Sequence, residues 1–142
     1  ILELAGYRVL VAEEGATALE LLAREPVDLM VLDYMMPGMD GAEVARRVRL
    51  DPSRSELPIV MLTASQEGPH IEAAFAAGAN DYLTKPVDRR ILLARVAAMI
   101  QDAANQKRAK EAADAELERE SLLTEMKEAA RLQQAKLRGA RA

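Results

Sequence analysis

Hydrophobic and polar positions sort the first 100 residues into two kinds of stretch. Short apolar runs at Tyr7–Ala12, Val27–Asp33, Pro58–Ser65 and Asn80–Pro86 have the length and continuity of strands buried on both faces of a parallel sheet. Segments of helical period lie between them. Over Gly15–Arg24, Ala18, Leu19, Leu21 and Leu22 make one apolar face, and Pro26 stops the helix. From about Ala42 to Leu50, Val44, Ala45 and Val48 point inward while Arg46, Arg47 and Arg49 point to water. Ile71–Ala77 is a short alanine-rich helix ended by Gly78, and another helix starts near Arg89. Ile1–Gly6 reads as the last turn of a helix closed by a glycine. Strands alternating with helices across short loops predict an α/β fold, a doubly wound parallel sheet with right-handed crossovers.

After Ile100 the pattern changes. Residues 101–142 are rich in Ala, Glu, Lys, Arg and Gln, contain no proline, and have glycine only at Gly139. They read as one long helix continuous with the preceding one. Ala112, Ala115, Arg119, Leu122, Met126, Ala129, Gln133 and Lys136 step by threes and fours, as a heptad seam does; Ala130, Gln133 and Leu137 continue it equally well late in the segment. The domain division is therefore 1–100 for a globular part and 101–142 for a helical coiled-coil linker. The seam predicts a parallel homodimer through residues 101–142, and its low apolar content also suits an exposed single helix.

The candidate chemistry sits at the ends of three apolar runs. Asp33 ends one, just before the turn Pro37-Gly38 and the helix-opening Asp40-Gly41. Thr63 ends the second and Lys85 the third. In an open α/β sheet the carboxyl ends of the strands form the ligand edge. A carboxylate, a hydroxyl and an ammonium brought there suit phosphoryl transfer: the first attacks, the others hold phosphoryl oxygens. By itself Asp33 could equally be a turn cap.

Taken together, Leu32-Asp33-Tyr34-Met35-Met36-Pro37-Gly38-Met39-Asp40-Gly41, Met61-Leu62-Thr63-Ala64 and Tyr82-Leu83-Thr84-Lys85-Pro86 resemble the receiver domain of bacterial two-component response regulators. The resemblance covers roughly residues 1–100. It implies a flavodoxin-like parallel sheet and Asp33 as phosphoacceptor, with a sensor histidine kinase or phosphotransfer protein as the donor. It further implies phosphoryl-binding or switch roles for Thr63, Ala64, Tyr82 and Lys85, a cis Lys85–Pro86 bond, and Mg²⁺ held in part by Asp33 and the backbone carbonyl of Met35.

The family pattern is incomplete here. Its first strand, the acidic pair that ends that strand, and most of the first helix have no counterpart before Tyr7. Glu13-Glu14 does not replace the pair, because only one helix fits between it and Asp33. Magnesium binding is accordingly expected to be weak or absent, since Mg²⁺ wants close to six oxygen ligands. The chain begins at Ile1, and the expectation is a piece of a longer protein or a form completed by another chain. Two other functions follow from the same residues. One is a degenerate, unphosphorylated receiver used as a dimerisation or scaffold module. The other is the regulatory part of an enzyme: Ala130–Leu137 resembles the entry to the PP2C-type phosphatase domain of some regulators, without the proline that follows it there. No catalytic domain of its own is read in this chain.

Composition narrows the remaining classes. Net charge is −4 and cysteine is absent, which points away from a nucleic-acid surface and rules out disulfide or thiol chemistry. The tail carries eight acids and nine bases, so the acidic excess belongs to residues 1–100. No apolar run reaches the roughly 20 residues of a membrane span, and a cytoplasmic protein is expected. His70 has no acid or nucleophile beside it in sequence and is given no chemical role. Met30, Met35, Met36, Met39 and Met61 are read as packing residues.

Overall fold

The computed structural model describes residues 1–64 and 67–141. Ser65, which ends the apolar run Pro58–Ser65, and Gln66 lie outside this range. The chain divides into two compact units, Ile1–Ala103 and the residues from Ala104 onward.

The first unit is built on three parallel strands, β1 (Met30–Asp33), β2 (Ile59–Thr63) and β3 (Asp81–Thr84), in the order β1-β2-β3. Four helices accompany them: α1 (Gly15–Arg24), α2 (Gly41–Leu50), α3 (Gly68–Ala76) and α4 (Arg89–Arg141), with 3-10 turns at Glu3–Ala5 and Pro52–Arg54. The register pairs Asp33 with Leu62 and Thr63 with Thr84. This is the receiver-like parallel α/β architecture, followed by a long carboxyl-terminal helix.

β2 is central because nothing in it needs water. Ile59, Val60 and Met61 are fully buried and alternate between two cores, as the period of two demands. Ile59 and Met61 join Leu22, Leu32, Val44, Val48 and Ala74 on one face. Val60 joins Leu83, Leu92 and Val96 on the other. Of the five methionines read as packing, Met61 is buried and Met30, Met36 and Met39 pack against the first core. Met35 does not: it is 74% exposed, since it lies in the turn beyond β1.

Two further expectations need correction. Tyr7–Ala12 forms no strand; Val11 is 76% exposed, and among the described residues no strand pairs with this segment. Its composition suits a strand, but a strand exists only through a hydrogen-bonded neighbour. In the receiver pattern that neighbour would be the first strand, and none of the described residues fills that place. Arg49 does not face water. Its guanidinium donates to the carbonyls of Gly78 (3.0 and 2.8 Å), Arg54 (3.3 Å) and Ser55 (3.2 Å) and to Asn80 Oδ1 (2.8 Å). Asn80 Oδ1 also accepts from the Ile59 amide at 2.8 Å, so this network ties the end of α2 to the starts of β2 and β3. Gly78 must be glycine: its φ is +109°, and a Cβ would lie 2.6 Å from the Arg49 side chain.

The other arginines of α2 do face solvent. Arg47 first, then Arg46, hold the Glu43 carboxyl below its ordinary pKa. On the opposite face of the sheet α4 is docked by Leu92 and Val96 and by a hydrogen-bonded ion pair from Arg95 to Asp81, which holds the guanidinium above arginine's ordinary pKa. In the second unit the side chains of residues 105–139 are exposed, Leu117, Leu122, Leu123, Met126, Leu132 and Leu137 among them.

Arg49→Met keeps the apolar stem and removes every one of these donors. It is expected to lower the unfolding free energy by about 1.5–3 kcal/mol, the range for hydrogen bonds to a charged group. Urea denaturation followed by circular dichroism checks it.

Candidate functional site

The site grows out of the carboxyl ends of the three strands. Beyond its own last pairs, β2 continues to bind both neighbours. The Leu62 carbonyl accepts from the Tyr34 amide and the Thr63 carbonyl from the Lys85 amide, each at 2.8 Å. The residue after Asp33, and Lys85 itself, are therefore fastened to one buried strand, which brings the two side chains together across it.

Lys85 Nζ donates to Asp33 Oδ2 at 2.6 Å, and the Met35 amide donates to Asp33 Oδ1 at 3.3 Å. The Asp33 and Lys85 side chains are 37% and 41% exposed. An ion pair that open to water adds only about 0–1 kcal/mol to stability, so it does little for the fold. What it provides is a solvent-reachable carboxylate with a cation beside it. Thr63, between them on β2, is 5% exposed, and Ala64 just after it is exposed. Lys85–Pro86 is a cis bond.

The turn after Asp33 is held from both sides. Asp40 caps α2 by accepting from the Glu43 amide at 2.9 Å. The Gly41 amide donates to the Tyr34 carbonyl at 2.8 Å. A Cβ at Gly41 would lie 2.4 Å from the Asp33 carbonyl oxygen and 2.9 Å from Tyr34 Cα. The glycine thus lets α2 rest directly on the backbone of the residue that carries the carboxylate. The sequence offered Asp40-Gly41 as a helix start but not this contact.

Tyr82 lies half-buried on β3 with its ring edge-on to Phe75, centroids 5.7 Å apart at 87°. Phe75 is partly exposed and was not singled out from the sequence, although it is the chain's only phenylalanine. His70, given no chemical role, lies with its ring centroid 6.1 Å from that of Tyr34. Glu13 and Glu14 are exposed where α1 begins. Among the described residues no group of three or more His, Cys, Asp or Glu side chains could hold a metal ion. Asp33 and the Met35 carbonyl are the candidate donors, and one carboxylate falls short of the oxygen set Mg²⁺ wants.

Comparison with known proteins bears on the fold that carries these residues. The family model of the response regulator receiver domain matches residues 1–97. The transcriptional regulatory protein AfsQ1 of Streptomyces coelicolor is 43% identical over 95 residues, which are 67% of this chain and 41% of that protein; the chain thus spans well under half of that relative's length. Among solved structures, the chemotaxis protein CheY4 of Vibrio cholerae superposes with a TM-score of 0.66 at 32% identity, covering 69% of this chain and 82% of that one. The receiver domain of the sensor histidine kinase PA1611 of Pseudomonas aeruginosa, solved with a magnesium ion coordinated in its active-site cleft, gives 0.66 at 32% identity, covering 70% and 82%.

Gly41→Ala is expected to cost about 1–3 kcal/mol, as overpacking does where backbone cannot yield. The same change should shift the Asp33 and Tyr34 amide resonances more than those of β3. Denaturant titration and a two-dimensional amide spectrum read the two effects.

Proposed function

The chain belongs to the response regulator receiver domain family, and on that footing we propose that Asp33 accepts a phosphoryl group in a two-component phosphorelay. The observation that carries this reading is the 2.6 Å contact between Lys85 Nζ and Asp33 Oδ2 at a solvent-reachable sheet edge. The donor is the phosphohistidine of a sensor histidine kinase or phosphotransfer protein. An Asp33 oxygen attacks phosphorus, the P–N bond breaks, and the imidazole leaves with the electron pair. The product is an acyl phosphate on Asp33. The Lys85 ammonium and the Thr63 hydroxyl then hold phosphoryl oxygens, and Ala64 is small enough to leave the approach clear. Tyr82, now packed edge-on against Phe75, follows Thr63 inward as the switch.

Receiver domains bind Mg²⁺, which supplies charge neutralisation when bound. In this chain the donors are Asp33 and the Met35 carbonyl, and we assign them a weak site. Receiver domains are not catalytic on their own. Nor is any described helix long and apolar enough to cross a membrane; a cytoplasmic setting fits the proposed partners. Residues 101–142 serve as a coiled-coil linker that forms a homodimer and passes the change onward.

Incubation with acetyl phosphate should label Asp33, and Asp33→Asn should give no label. Lys85→Met should slow labelling by about 100-fold, the scale for removing one charge-stabilising donor. Equal labelling of Asp33→Asn overturns the assignment, and no labelling of the wild type by either acetyl phosphate or a phosphorylated kinase makes the domain a scaffold.

The tail is tested separately. Each buried methylene is worth about 0.8 kcal/mol, so an alanine-rich seam holds only weakly and tolerates no charge. Leu122→Asp with Met126→Asp is expected to give a monomer at micromolar concentration in sedimentation velocity, with the sheet still folded.

A further inference from the structure

The homodimer proposed above can be parallel or antiparallel, and the exposed side chains of the second unit discriminate between the two. Leu122, Met126 and Leu137 are 60%, 67% and 60% exposed. With 100° per residue, Leu122, Met126, Ala129, Ala130, Gln133 and Leu137 fall within an arc of about 100°, the width of a helix face that seeks a cover. The charges are laid out in blocks along the same helix. Residues 111–128 hold seven acids and two bases, while residues 129–142 hold four bases and no acid.

A parallel, in-register pair sets each block against its own copy, acids against acids and bases against bases. Arg119, which shares the azimuth of Leu137 within this arc, would meet Arg119 of the partner subunit. An antiparallel pair does the reverse. We infer that residues 120–139 bind a second copy of this chain antiparallel, with the two-fold axis between Ala129 and Ala130. Leu122 then packs on Leu137 of the partner subunit, and Met126 on Gln133 of the partner subunit. The two alanines meet at the crossing, where small side chains let the helices approach closely. The basic end of each helix lies along the acidic stretch of the other. Glu125 and Lys136 flank the apolar arc on the same side, and in this register the carboxylate of one chain faces the ammonium of the other. Both are exposed, and neither makes an ion pair among the described residues. The inference rests on the homodimer reading and replaces the parallel arrangement that the heptad steps alone predicted.

The chain has no cysteine, so cross-linking reads the geometry directly. In the antiparallel pair Leu122 and its own copy are fifteen positions apart, about 22 Å along the axis. Disulfides need Cα atoms within about 7 Å. Full-length Leu122→Cys and Leu137→Cys proteins should therefore form a disulfide dimer under mild oxidation when mixed, and neither should do so alone. Self-cross-linking of Leu122→Cys overturns the orientation while leaving the homodimer standing. Failure of every combination, with a monomer in sedimentation, removes both. Charge exchange gives an independent reading. Glu125→Lys should raise the dimer dissociation constant several-fold, and adding Lys136→Glu should bring it back. In a parallel pair, and within one helix, residues 125 and 136 are about 16 Å apart and cannot rescue one another. Absence of rescue overturns the proposed register.

Discussion

The molecule depends first on the backbone of one strand. β2 is hydrogen-bonded along both edges and buried on both faces, and it delivers alternate side chains to two separate cores. Its last two carbonyls reach past the regular ladder to fix the residues after Asp33 and before Pro86. A buried carbonyl without a donor is costly, so these two bonds are close to obligatory. The Asp33–Lys85 contact is thus a product of main-chain geometry. The ion pair itself is too exposed to hold the strands together.

The same division explains what the sequence made legible. Asp33, Thr63 and Lys85 stood out because each ends an apolar run, and strand ends are where a parallel sheet presents its chemistry. Helix limits were legible at Pro26, Asp40 and Gly78, where a proline, a capping acid and a glycine marked them. Three features were not. Tyr7–Ala12 has strand composition but no partner, and composition is silent about partners. Arg49 sits beside two solvent-facing arginines, and nothing local distinguishes it from Arg46 or Arg47; its carbonyl partners lie up to 29 positions away. Phe75 lies in an alanine-rich helix, and its contact with Tyr82 exists only once α3 lies against β3. In each case the deciding interaction lies between elements, and periodicity reports only the faces of one.

The two units follow different physical rules. In the first, the apolar side chains of the strands and of the helix faces against them find cover within the chain, and charge is left for the rim and the site. In the second, a single helix keeps its leucines exposed and sorts its charges by sign along its length. A helix of that kind takes its structure from whatever covers it, and its charge order limits which covers are acceptable.

The pairing of β1 has a practical consequence. Among the described residues β1 is bonded to β2 alone, and Leu29-Met30-Val31-Leu32 carries no lysine, proline or bulge that would discourage a further strand. Such an edge is a template for edge-to-edge association. A charged or proline-bearing residue introduced on that edge would act on strand pairing, whereas the Asp33 and Lys85 side chains meet across β2.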